Sequence, residues 1–331
     1  MPVRFLFATI FCFFLLLKTT FAWETVIPGD AGVDLSAGYR SDHLEWNISG
    51  DSDGLNPNIL SELTWEDVET FELQAQGWVE FRQLPYFKRD SLLLTYLSFG
   101  KIMDGDVQDS DYATDNRTNE WSRSVNKADV GFMVDISGGW GPVLKFEQFK
   151  KIRLIPLVGY AFNMQALSMT SGEQRISDDD IRTTFFGSDA ELPPDLGAIN
   201  GLDSTYTTYW YGPWLGLRFD YQINDTLKLK AGLEYHLVEF YAQADWNLRS
   251  QFAHPVSFEH EADGSGVVWT FTGLYQLNEK WSALCDLNIQ SWQADDGTDR
   301  TFFADGRVSR SRLNKVEWES YALTTGVQYR F

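Results

Sequence analysis

LKLKAGLEYHLVEFYAQADW, Leu227 to Trp246, decides the fold class. Leu227, Leu229, Ala231, Leu233, Tyr235 and Leu237 share one parity, and Lys228, Lys230, Gly232, Glu234 and His236 share the other. Successive side chains of an extended chain point to opposite sides, so the two sets lie on opposite faces of a β-strand. A typical strand has about five or six residues, and this run is far longer. A tilted strand that crosses a bilayer and projects beyond it needs such length. An apolar face toward lipid and a polar face toward a lumen is the pattern of a transmembrane β-barrel.

The pattern recurs. In WSALCDLNIQSW, Trp281, Ala283, Cys285, Leu287 and Ile289 alternate with Ser282, Asp286, Asn288 and Gln290. In YALTTGVQYRF, Tyr321, Leu323, Thr325, Val327, Tyr329 and Phe331 alternate with Thr324, Gln328 and Arg330. A soluble β-sandwich also alternates, but its buried face rarely runs this long. The closing Phe331, with Tyr329 on the same face, resembles the terminal strand signal of bacterial outer-membrane barrels.

The first residues are a targeting segment. Arg4 precedes an apolar run from Phe5 to Leu17, and Thr20-Phe21-Ala22 offers small residues for a signal peptidase. The run is too short to span a bilayer, which takes roughly 20 apolar residues. Residues 1–22 are therefore expected to be a signal peptide and 23–331 the mature domain, beginning at Trp23. Cleavage removes Arg4 and Lys18, which takes the formal net charge from −20 to −22. A field of that sign does not attract nucleic acid. Cys12 leaves with the signal, and Cys285 alone excludes a disulfide framework and a thiolate zinc cluster. Aromatic residues make up 15% of the chain while mean hydropathy is −0.28, and no helical membrane span follows the signal.

Connections alternate between short and long. QIND (Gln222 to Asp225) and LNEK (Leu277 to Lys280) are hairpin-sized, whereas Thr170–Ser204, Asn247–Gly264 and Asp295–Asn314 are long and polar. Barrels of this kind put short turns in the periplasm and long loops outside. Ten strands are expected, at 31–48, 60–82, 91–103, 125–140, 150–170, 204–221, 226–246, 265–277, 280–294 and 315–331. The fold class is thus all-β: a single ten-stranded antiparallel transmembrane β-barrel in the bacterial outer membrane. So narrow a barrel is filled by side chains and is no general pore, which moves function to the loops and the outer rim.

One polar segment stands out. In KIMDGDVQDSDY (Lys101 to Tyr112), Asp104, Asp106, Asp109 and Asp111 fall within eight positions, and Asp115 follows. The expected strands put Asp104 and Asp106 at the top of the third strand, entering an external loop. Alternating acids also supply calcium-type oxygens, but the Gly and terminal acid of a calcium loop are misplaced, and a solvated acidic loop is the plain alternative. Asp178-Asp179-Asp180 reads as a solvated turn, and Gly-Trp-Gly-Pro around Trp140 as a turn with Trp140 at the bilayer interface.

At this point the sequence resembles the omptins, ten-stranded outer-membrane endoproteases. Their motif Met-x-Asp-x-Asp-x-x-Asp-Ser is very nearly matched by IMDGDVQDSD, with Met103 one place nearer the first acid, and SELTW (Ser61 to Trp65), YGPWLGLRFDY (Tyr211 to Tyr221) and the aromatic final strand lie in family order. The resemblance covers essentially the whole mature chain. It implies a water-mediated peptidase in which Asp104 and Asp106 face an Asp-x-His pair on the seventh strand. Asp245 fits the acidic position, but Asn247 stands where the histidine belongs. Asn accepts no proton, so the resemblance implies a lost general base, which His254 or His260 would have to replace from the adjoining loop. His236 is expected to face the lumen in a polar network.

Two readings follow. One is an omptin-like surface endopeptidase using Asp104, Asp106, Asp245 and His254 or His260, with no cofactor and no metal. The other is a non-catalytic surface barrel serving adhesion, binding or envelope structure. Expected partners are outer-membrane lipid, lipopolysaccharide and, for an active enzyme, a peptide or protein substrate.

Overall fold

The computed structural model describes residues 28–82, 90–146, 148–188 and 191–331. The expected signal peptide at 1–22 and the mature start at Trp23 lie outside the described residues. In chain order the strands are β1 (Pro28–Ile48), β2 (Ser61–Phe81), β3 (Ser91–Thr114), β4 (Thr118–Lys127) and β5 (Gly131–Pro142). They continue with the two-residue β6 (Leu144–Lys145), then β7 (Ile152–Ser177), β8 (Gly197–Gln222) and β9 (Leu227–Asp245). The last are β10 (Phe258–Gln276), β11 (Trp281–Phe302) and β12 (Val308–Arg330), and one helix, α1 (Asp179–Phe186), lies between β7 and β8. β4 and β5 are successive pieces of one position, since both pair with β3 on one side and β7 on the other. β1 pairs with β12 from Gly32↔Arg330 to Ile48↔Leu313, which closes the ring. Ten antiparallel positions result.

Both faces follow the alternation. Leu229, Leu233 and Leu237 are 43, 37 and 58% exposed on the outer face, whereas Lys230 and His236 are buried. Glu234 and His236 line the lumen. On β12, Tyr321 and Leu323 are exposed while Ala322 and Thr324 are buried.

The lumen is filled in two styles. Toward the long-loop end, Trp46, Trp65, Tyr206, Trp210, Phe240, Phe258, Trp292 and Trp318 belong to one buried apolar cluster. Trp292 stacks on Trp318 with ring centroids 5.3 Å apart, and Trp65 on Tyr206 at 5.1 Å. Below it the filling is ionic. The buried Arg40 guanidinium donates to Asp42 at 2.9 Å and Asp135 at 2.6 Å, with Glu72 at 3.6 Å. Trp318 donates its indole N–H to Asp42 at 2.8 Å, which links the two regions. A guanidinium out of water needs such a full set of carboxylates.

Three expectations are corrected. The third strand runs to Thr114 rather than 103, so the acidic run is strand and not loop. β10, β11 and β12 likewise extend far into segments expected as loops. Beyond the bilayer the outer face is wet, so the lipid-facing apolar stripe that marks a strand is lost although backbone pairing continues. Asp178 is not part of a turn: its carboxylate accepts from Ile181 N at 2.8 Å and caps α1. Gly139 to Pro142 complete β5.

Leu233→Arg places a charge on the outer apolar band and is expected to cost about 2–4 kcal/mol near the membrane midplane. A urea refolding titration of the two proteins measures the difference, and a neutral result would reassign the face.

Candidate functional site

The acidic run is shaped by bulges. Low on β3, Ile102 is buried in the lumen and Met103 is 57% exposed outside. Strict alternation would then turn Asp104 and Asp106 inward. The register with β2 instead passes from Thr70↔Ile102 to Glu69↔Asp104 and then Glu66↔Asp106. Met103 is thus an extra residue on β3, answered by an extra one on β2 near Asp67, whose φ is +48°. An extra residue in one strand reverses the face of everything beyond it. β7 does the same between Thr170 and Gly172, where Ser171 has φ +50°. Gly105 points inward at the crowded level. A Cβ there would sit 3.1 Å from Val68 Cα and 3.3 Å from the Ala128 carbonyl, so a side chain between the two aspartates would press on its neighbours' backbone.

Asp104 and Asp106 share one side, and that side is the outer wall. Both are more than half exposed, and Lys127 Nζ bridges them at 3.5 and 2.7 Å. Asp104 also accepts from Gly105 N at 2.9 Å.

The inward pair is Asp109 and Asp111. Asp109 stands opposite Leu63, a member of the buried cluster, and Asp111 opposite Ser61. Both lie above the outward apolar residues Leu97, Phe99 and Met103 of the same strand. Arg249, from the connection after β9, is close enough to act on both, and Arg182 of α1 acts on Asp111. Arg182 packs over Trp121 at 4.5 Å and Phe186 at 4.2 Å, and Arg249 pairs with Glu191 at 3.7 Å. Burial, then the charge of Asp111, pushes the Asp109 carboxyl up to about 8. Burial raises Asp111 as well, against the pull of Arg249.

Across the ring, Ala242 and Ala244 of β9 are buried, so Asp245 falls on the outer face. There its carboxylate meets His254 Nδ1 at 2.6 Å. Asn247 is spent on structure: its carbonyl oxygen accepts from Asp203 N at 3.0 Å and Ser204 Oγ at 3.1 Å, and its amide donates to Gly201 O at 2.7 Å. His260 is fully buried. Its Nδ1 is 2.9 Å from the Tyr206 hydroxyl, its Nε2 is 3.4 Å from Asp299, and Trp46 packs edge-on at 4.8 Å. His236 contacts Glu234 at 3.0 Å deeper in the lumen.

Of the residues singled out in the sequence, the fold therefore joins Asp104 to Asp106 and Asp245 to His254. It does not join the first pair to the second, because both aim outward, from wall positions that β4/β5, β7 and β8 separate. His260 stands apart from both. Asp109, Asp111, Arg182 and Arg249 were not singled out as a group. One signal existed: Ile102 and Val107 are both apolar but an odd number of residues apart, and above the bilayer an apolar side chain belongs inside. Among the described residues no group of three His, Cys, Asp or Glu side chains is placed to hold a metal ion.

A closed ten-position antiparallel ring with these faces defines an outer-membrane β-barrel of omptin architecture. The outer membrane protease OmpT from Escherichia coli superposes with a TM-score of 0.71 over 95% of this chain and 99% of that one, at 14% identity. A likeness at that identity concerns the fold. The chain belongs to the Protochlamydia outer membrane protein family, whose profile matches residues 34–331. A major outer membrane protein from Thermus thermophilus aligns over 89% of this chain and 99% of its own at 13% identity, but its TM-score of 0.31 is too low to carry a structural comparison. No sequence among the curated proteins matches this chain.

The inward carboxylates make a pH signature. The folded state holds the Asp109 proton more tightly than the unfolded chain, whose aspartates titrate near about 3.9. Stability from this group is full below about pH 4 and is lost as pH rises to about 8, through the raised folded value. Asp109→Asn is expected to flatten that slope, which thermal melts between pH 4 and 8 would register. An unchanged slope would place the titration elsewhere.

Proposed function

We propose that this chain is a closed, non-catalytic surface barrel whose extended outer strands and loops form a binding face at the cell exterior. The observation that carries this reading is the outward aim of Asp104 and Asp106 on β3 and of Asp245 on β9. A general base must come within about 2.6–3.2 Å of the water it activates, or one water further. Carboxylates on the outer faces of strands so far apart around a ring share no water. The lumen between them holds an aromatic cluster rather than a substrate cleft. That filling also argues against solute conduction.

One observation favours the endopeptidase reading, namely the 2.6 Å contact of His254 with Asp245. The acid orients the ring, as a general base requires. In that reading Asp104 and Asp106 would position the water and His254 or His260 would take its proton. His254 is the accessible one, whereas His260 is enclosed by Trp46, Tyr206 and Phe258.

Purified, refolded protein incubated with a mixed peptide library and lipopolysaccharide is expected to show no cleavage, under conditions where an authentic omptin cuts. Asn247→His is expected to bring no gain, since it removes hydrogen bonds to Gly201, Asp203 and Ser204 without moving Asp104 toward the imidazole. Cleavage that disappears in His254→Ala would establish the endopeptidase reading in its place.

A further inference from the structure

At the short-turn end the lumen opens into a vestibule of about 270 Å³ whose chemistry runs against that of the chain. The protein carries a formal net charge of −20, yet Arg153, Arg218, Lys228, Lys230, Lys280 and Arg330 all line this opening. Among the described residues the acids lining it are Asp30, Glu80 and Glu279. Just behind the wall, the 2%-exposed Asp220 serves several cations at once. Arg218 Nε reaches it at 2.8 Å, Lys228 Nζ at 3.0 Å and Arg153 Nη2 at 3.5 Å.

One carboxylate does not satisfy so many donors. Arg153 shares Nη2 with Glu80, and its Nε is buried without an acceptor. Among the hydrogen bonds of the described residues, Arg218 uses only Nε and leaves its two Nη groups beside the cavity. Lys230 is 8% exposed, and its one ion-pair partner among the described residues is Asp34 at 3.5 Å, which already takes a 2.7 Å bond from Gln328. Low-dielectric walls focus the field of such a cluster into the opening. Charge-assisted bonds from guanidinium and ammonium groups are also the strong ones, and Arg matches planar oxyanions bidentately. The aromatic cluster closes the route from the exterior, which leaves the periplasmic mouth as the way in.

We propose that this vestibule binds a small oxyanion from the periplasm, a phosphate or carboxylate group, held by Arg153, Arg218, Lys228 and Lys230. Lys280 sits at the rim over Tyr329, 5.9 Å from its ring centroid, and draws ligands in without holding them.

Isothermal titration calorimetry on the refolded full barrel in low-salt detergent tests this, with inorganic phosphate and succinate as separate probes. Saturable binding of phosphate assigns a phosphate ligand, and saturable binding of succinate alone assigns a carboxylate. Arg218→Gln is expected to weaken binding at least about tenfold, and Arg307→Gln, at the opposite end of the barrel, to leave it within about twofold. Heat-modifiable migration in gels confirms that each variant is folded, and Lys228→Gln replaces Arg218→Gln if the latter fails that check. No saturable binding of either probe overturns the proposal. So does binding that a folded Arg218→Gln or Lys228→Gln barrel retains in full.

Discussion

Hydrocarbon offers no partner to a backbone N–H or C=O, and everything else in this molecule follows from that constraint. Each spanning strand must be paired on both sides, so the sheet has no edge, and β1 must find β12 along nearly its whole length. Closure then fixes what each side chain can do. A residue faces either the bilayer or a lumen too narrow to hold much water, and the choice alternates with every step. Charged side chains placed inside must therefore neutralise one another, as Arg40 does with Asp42, Asp135 and Glu72. Apolar ones inside must pack, as the tryptophans do above them.

Within that frame, the bulges on β2, β3 and β7 decide the fate of the acidic run. Were alternation unbroken through Met103, Asp104 and Asp106 would face the lumen, toward the pair that the omptin resemblance sets opposite them. With it, they sit on the outer wall beside Lys127, and Asp109 and Asp111 take the inner positions under Arg182 and Arg249. The acidic letters of the motif are present, but the bulge sets their faces.

Much of the fold was legible because lipid writes a strong signal. The faces of 227–237, 281–290 and 321–329, the alternating short and long connections and the number of strands all come from the demand that one side be apolar. Legibility ended where that demand ended. The polar hairpin extensions of β3, β10, β11 and β12 carry no lipid-facing stripe, and their strands outran the reading. The capped helix after Asp178 is short and buries none of its side chains, so no apolar periodicity announces it. As for the candidate site, residue types were readable and orientation was not. Asn247 was visible as an asparagine where the resemblance expects a histidine, but the hydrogen bonds that occupy it join distant parts of the chain. The meeting of His254 with Asp245 depends on the path of the connection between β9 and β10.

The bulged level has a consequence for how substitutions in this barrel should be compared. A strand carries two interleaved reading frames, one written for the inside and one for the outside, and Met103 acts on them as an insertion acts on codons. Positions on either side of it share a backbone and a hydrogen-bond ladder but belong to opposite frames. An odd-to-even comparison that is sound within 91–102 is inverted within 104–111. Relatives aligned by letters alone across that point would have their surfaces matched to each other's interiors. Removing Met103 would restore strict alternation, Ile102 inward and Asp104 outward, and would leave both aspartate pairs on the faces they now hold.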